Sequence, residues 1–122
     1  MRLPVGTDTV VRALAASRRF AGDGEAADRL ALVVEEWVAN VIEHGRPPAG
    51  SRLVLGFARR DGAVRLTVSD AGAAFDPRGV EDKGRNLARG GGAGVAMIRA
   101  WCRIEAWRRT GGRNRVTLVL NA

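Results

Sequence analysis

One run of side chains constrains this chain more than any other. Between Glu25 and Glu43 the large apolar residues are Leu30, Val33, Val34, Trp37, Val38 and Val41. Their spacings of 3, 1, 3, 1 and 3 draw a single stripe down an α-helix. Gly45 and the pair Pro47-Pro48 stop that helix. Asp23 is the expected cap, and Glu25 sits in the first turn, where the helix dipole favours an acid. A stripe this apolar needs a broad apolar surface to cover it.

Two later segments provide such a surface. Arg52–Ala58 and Ala63–Ser69 alternate apolar and polar residues, and Arg59-Arg60-Asp61-Gly62 joins them. Asp-Gly between alternating runs predicts a hairpin. Leu53, Leu55 and Phe57 share one face of the first strand, and Val64, Leu66 and Val68 share one face of the second. Ile104–Trp107 and Val116–Leu120 read as two closing strands around Thr110-Gly111-Gly112. Upstream, Met1–Gly6 reads as a short strand or arm. Thr7 or Asp8 is the expected cap of a first helix ending near Phe20. Val95–Cys102 reads as a third helix. The order of elements predicts an α+β fold, with helices stacked on one face of an antiparallel sheet.

With 122 residues the chain makes one domain spanning 1–122. No apolar run reaches the roughly 20 residues of a membrane helix, and the first eight residues lack a signal peptide's apolar region. The expectation is a cytoplasmic protein that does not enter a membrane. One cysteine, Cys102, and one histidine, His44, exclude an internal disulfide and a CxxC or His-based zinc site. Nineteen of the 20 basic residues are Arg, and the entire excess of +7 falls in residues 78–122. This is either an acidic or polyanionic partner's footprint or a compositional bias toward Arg. No nucleic-acid motif accompanies the charge, so no nucleic-acid partner is expected.

Three pieces carry candidate chemistry. Glu36, Asn40 and His44 lie four residues apart and line one shoulder of the long helix, beside the apolar stripe. The spacing alone also suits a solvated shoulder. Asp70 ends a strand, and Gly72 follows two residues later. A carboxylate there can accept from an exocyclic amine, or the pair is an ordinary turn. Gly90-Gly91-Gly92-Ala93-Gly94 opens the third helix, where backbone amides suit phosphate, or it is a flexible loop. The stretch from Asp70 to Gly94 has almost no apolar periodicity, which is usually a mark of function.

In this order the three pieces resemble the GHKL ATP-binding superfamily of histidine kinases and gyrase. Glu36-Trp-Val-Ala-Asn40-Val-Ile-Glu-His44-Gly45 is similar to its N box. Asp70-Ala-Gly72, with Ala74 and Phe75-Asp76-Pro77, is similar to its G1 box, and Gly92-Ala-Gly94 to its G2 box. Ala74 stands where the superfamily has a second glycine. The short chain and the full Glu-x-x-x-Asn-x-x-x-His-Gly form resemble the small bacterial anti-sigma factor serine kinases, the RsbW-like group.

The resemblance implies a two-layer Bergerat-type sandwich, with three helices on one face of a mainly antiparallel mixed sheet. It implies binding of ATP or ADP with Mg²⁺: Asn40 on the metal, Glu36 as general base, Asp70 on the adenine amine and Gly72 beneath the ring. It places His44 and Ala74 in the nucleotide site, Gly92 and Gly94 on the phosphates, and Thr117 as adenine support. Residues 78–91 become an ATP lid. The implied function is phosphorylation of a serine on a small antagonist protein and sequestration of a sigma factor, commonly as a homodimer. The alternative is a catalytically silent nucleotide-binding interaction module.

Overall fold

The computed structural model describes residues 1–74 and 101–121. Its elements are β1 (Arg2–Pro4), α1 (Thr9–Ala21), α2 (Glu25–Asn40), a wider π-type turn (Val41–Gly45), β2 (Arg52–Arg60), β3 (Ala63–Asp70), β4 (Cys102–Thr110) and β5 (Arg113–Asn121). The strands form one sheet in the order β1-β2-β3-β5-β4. All four pairings are antiparallel, so the described sheet is not mixed. Two helices are described. The expected third lies outside the described residues except for helical Trp101, and Cys102 already begins β4.

The stripe of α2 is the centre of the core. Leu30, Val33, Val34, Trp37, Val38 and Val41 are all buried, and they cluster with Leu53, Leu55, Leu66, Val68, Val116 and Leu118 of the sheet. Each such aliphatic side chain contributes about 1.5–3 kcal/mol when fully buried. At one margin Phe20 of α1 stacks on Phe57 with ring centroids 5.3 Å apart, and the Arg59 guanidinium lies 5.0 Å above the Phe20 ring.

Both hairpins close as their sequences dictate. Asp61 and Gly62 have φ of 52° and 77°, and Gly111 and Gly112 have 60° and 76°. Two successive left-handed residues match the twist of the flanking strands. The closing strands are longer than expected, because the turn at Gly111-Gly112 lets β4 and β5 pair down to Thr110 and Arg113. A bulge at Glu105 shifts the register between Ile104 and Ala106. It reverses the side-chain parity of β4, so that Cys102, Ile104, Trp107 and Arg109 all face the helices.

The helix caps differ from expectation. Asp8 precedes α1 but its side chain makes no capping bond. Thr9, in the first turn, instead braces the loop that leads into the helix. Its fully buried Oγ1 accepts from Gly6 N–H at 2.7 Å and lies 2.8 Å from the Gly6 carbonyl. Before α2 the cap position is Gly24 rather than Asp23, with φ of 111°, a conformation that favours glycine.

Candidate functional site

Asp70 is the last residue of β3 and follows Leu66 and Val68 on the face that meets the helices. Its carboxylate is 4% exposed. Oδ1 accepts from Gly72 N–H at 2.8 Å and from Asn114 Nδ2 at 3.2 Å. With Oδ1 filled, Oδ2 is the acceptor that remains for a ligand. The turn after Asp70 is clamped by the end of the long helix: Ala73 N–H donates to the Gly45 carbonyl at 2.8 Å. A Cβ on Gly72 would lie 2.6 Å from that carbonyl oxygen, so no other residue fits.

Two residues to which the sequence alone assigns no role complete this corner. Asn114 is the register partner of Asp70 across β3 and β5. Besides Asp70 it donates from Nδ2 to the Ala73 carbonyl at 2.8 Å. Arg109, opposite Asn114 on β4, donates from Nη1 to the Gly72 carbonyl at 2.9 Å and to Asn114 Oδ1 at 3.2 Å. Arg109 thereby fixes which end of the Asn114 amide faces Asp70. Strand parity is the available signal: 114 is in phase with Val116, Leu118 and Leu120, whose side chains form the core.

Thr117 is out of that phase. It pairs with Thr67 on the outer face of the sheet, so the structure does not bring it to Asp70. Ala74 is exposed just beyond the clamped turn. Gly92, Gly94, the Phe75-Asp76-Pro77 run and the 78–91 lid lie outside the described residues.

The helix shoulder is graded. Glu36 is half-buried, Asn40 is 5% exposed, and His44 is exposed within the wider turn. Burial first, and then the neighbouring Glu35 charge, raise the Glu36 carboxyl above its ordinary 4.5. Asn40 Nδ2 is buried with no hydrogen-bond partner among the described residues. A buried amide without partners is costly and calls for a ligand. Rotating the amide presents its oxygen there, a hard donor suited to Mg²⁺. Asn40 and Asp70 thus both offer unused polar capacity, and Gly45, which follows Asn40's helix, lies close enough to this corner that a Cβ added to it would stand 3.7 Å from Asp70 Oδ1 and from the Gly72 Cα.

The comparisons agree with this geometry. The model of the histidine kinase-like ATPase domain family matches residues 3–120. The chain belongs to that family, and so to the superfamily whose boxes its sequence resembles. Among curated proteins no relative matches. Among solved structures, the Erythrobacter litoralis EL346 blue-light activated histidine kinase aligns with a TM-score of 0.59 at 21% identity. That alignment covers 97% of this chain and 42% of the other. The separate histidine kinase domain of the same protein gives 0.58 at 21%, covering 97% and 61%. The Acinetobacter baumannii histidine kinase AdeS gives 0.55 at 16%, covering 99% and 67%. These likenesses show a shared fold, and the chain spans about two fifths to two thirds of those proteins. No described helix is long and apolar enough to cross a membrane.

Proposed function

We propose that this domain binds Mg²⁺-ATP and transfers the γ-phosphoryl group to a serine or threonine hydroxyl of a partner protein. The observation that carries the reading is the Asp70 corner. There a buried carboxylate has one oxygen saturated by Gly72 and Asn114 and the other left to accept the adenine amine. The domain's family membership supports ATP as the nucleotide.

Asn40, through its amide oxygen, is the residue that would hold Mg²⁺, which supplies charge neutralisation between the phosphates. Glu36 lies one helical turn before Asn40, about 6 Å along the axis. A carboxylate more basic than usual at that place suits it to take the hydroxyl proton. The hydroxyl oxygen forms the new bond to phosphorus, the bond to the β-phosphate oxygen breaks, and ADP leaves. In the cell we read the domain as an anti-sigma factor kinase, acting on a small antagonist protein and sequestering a sigma factor.

A second reading follows from the solved relatives, which are histidine kinases: the domain is the ATP-binding part of such an enzyme. Phosphotransfer with radiolabelled ATP and candidate acceptors separates the readings. A product label stable to acid supports serine or threonine, an acid-labile label supports histidine, and nucleotide binding with no label supports the silent module.

A further inference from the structure

The face of the sheet turned away from the helices has its own chemistry. Strand register places Arg113 and Arg115 of β5, Arg103 and Arg108 of β4, and Arg65 of β3 on it. Arg52 and Arg60 extend it along β2. The bulge turns Glu105 onto the same face, where it pairs with Arg65 at 2.9 Å. The segment that carries the two described helices is the reverse: residues 5–50 hold seven acids against five Arg, a net of −2. Compositional preference for Arg over Lys does not account for this segregation of acids by layer.

Arg108 and Arg115 are direct cross-strand partners, both exposed. Like charges placed opposite one another destabilise a sheet. Neither side chain makes a hydrogen bond or ion pair among the described residues. Two shallow cavities open beside them. One, of about 320 Å³, is lined by Ala106, Arg108, Arg115 and Thr117. The other, of about 270 Å³, adds Ser69, Thr110 and Arg113 to the same two arginines. Arg113 is held in place by Ser69 Oγ at 2.9 Å and by the Arg52 carbonyl at 2.8 Å.

We propose that this open face, centred on Arg108 and Arg115, is the docking surface for an acidic protein partner. Guanidinium forks beside hydroxyls suit carboxylate or phosphoryl oxygens. Along β5 the recognising residues recur at every second position, about 7 Å apart, which is also the repeat of same-side carboxylates on an extended segment. Between the arginines the floor is made of Gly56, Thr67, Ala106 and the buried Val119, none of them a large exposed apolar side chain, so apolar anchors do not drive the contact. A single-stranded nucleic acid would need aromatic platforms, and the described aromatics of the sheet, Phe57 and Trp107, lie on the helix side. A flat sheet also offers nothing that enters a duplex groove.

The test uses the full chain in low salt, with fluorescein-labelled poly-L-glutamate and a DNA duplex of matched charge as probes. Arg108→Ala with Arg115→Ala is compared with Arg12→Ala with Arg19→Ala, which removes the same charge from α1. The sheet variant is expected to weaken poly-L-glutamate by about tenfold and the helix variant by far less. Thermal melts keep the comparison sound, because relief of the cross-strand repulsion leaves the sheet variant at least as stable as the wild type. Absent binding, or equal losses in both variants, overturns the proposal. So does a duplex bound more tightly than poly-L-glutamate through the same arginines. A mass that grows with concentration only while Arg108 and Arg115 are present overturns it too, and assigns the face to a second copy's acidic helical layer instead.

Discussion

Gly45 and Gly72 meet backbone to backbone: a Cβ on Gly72 would stand 2.6 Å from the Gly45 carbonyl oxygen and 2.9 Å from its carbon. This contact ties the end of the helix that carries Glu36 and Asn40 to the turn that follows Asp70. The two halves of the site are therefore set relative to each other by main chain, which side-chain fluctuation does not disturb.

Gly72→Ala must push that backbone apart. We expect a loss of about 1–3 kcal/mol in stability and of nucleotide binding. Gly45→Ala is the control, because its Cβ meets nothing closer than 3.7 Å. Denaturant midpoints of the two variants should differ clearly, with Gly45→Ala near the wild type.

Asn114→Ala removes a donor to Asp70 and to the Ala73 carbonyl and leaves both short of a partner. A cost of about 1–2 kcal/mol is expected, together with weaker nucleotide binding. Thr117→Val, on the opposite face, should leave binding unchanged. Nucleotide titration of the pair decides between Asn114 and Thr117 as the residue on the last strand that supports the base.

Glu36→Gln should lower phosphotransfer by roughly 10²- to 10⁴-fold while sparing nucleotide affinity. Its stability signature has a definite sign. Burial raises the Glu36 carboxyl above 4.5 in the fold, so the native state binds the extra proton. Stability falls as pH rises from 4.5 through the raised value, and the loss is complete above it. Gln carries no such loss. The variant should therefore melt higher than the wild type at neutral pH, and the difference should vanish in acid.

Cys102 is buried where β4 begins, and that burial pushes its thiol up to about 11. Little thiolate forms at neutral pH. A thiol reagent should modify it only at the rate of unfolding, and immediately in denaturant.

Much of the fold and of the site is legible in the amino-acid sequence. The stripe from Leu30 to Val41 marks the core face of α2, and Asp61-Gly62 marks a hairpin, because both are local patterns with fixed periods. Asp70 and Gly72 are visible because a strand end followed by a small residue is also local. The caps are only partly legible: Asp8 stands at the cap position of α1 but makes no capping bond, and before α2 Gly24 rather than Asp23 has the geometry. Asn114 is within reach, since period-two parity puts it with Val116 and sets Thr117 on the far side. Arg109 is not, because the bulge at Glu105 reverses the parity of β4 and depends on pairing with β5. The basic outer face is hidden for the same reason. A sequence shows where charge accumulates, but strand register decides which side of a sheet receives it.

Calorimetry of the full chain with Mg²⁺-ATP decides whether Asp70 Oδ2 receives the adenine amine, as we propose. Asp70→Asn keeps an oxygen for Gly72 and Asn114 but puts a donor where the ligand's own donor must bind. We expect saturable binding of Mg²⁺-ATP by the wild type, a loss of about tenfold to a hundredfold in Asp70→Asn, and an unchanged melting profile without nucleotide. GTP, which presents a carbonyl at the corresponding ring position, should bind weakly to the wild type. Equal affinity of wild type and Asp70→Asn for ATP, or no binding of ATP to either, would contradict the account.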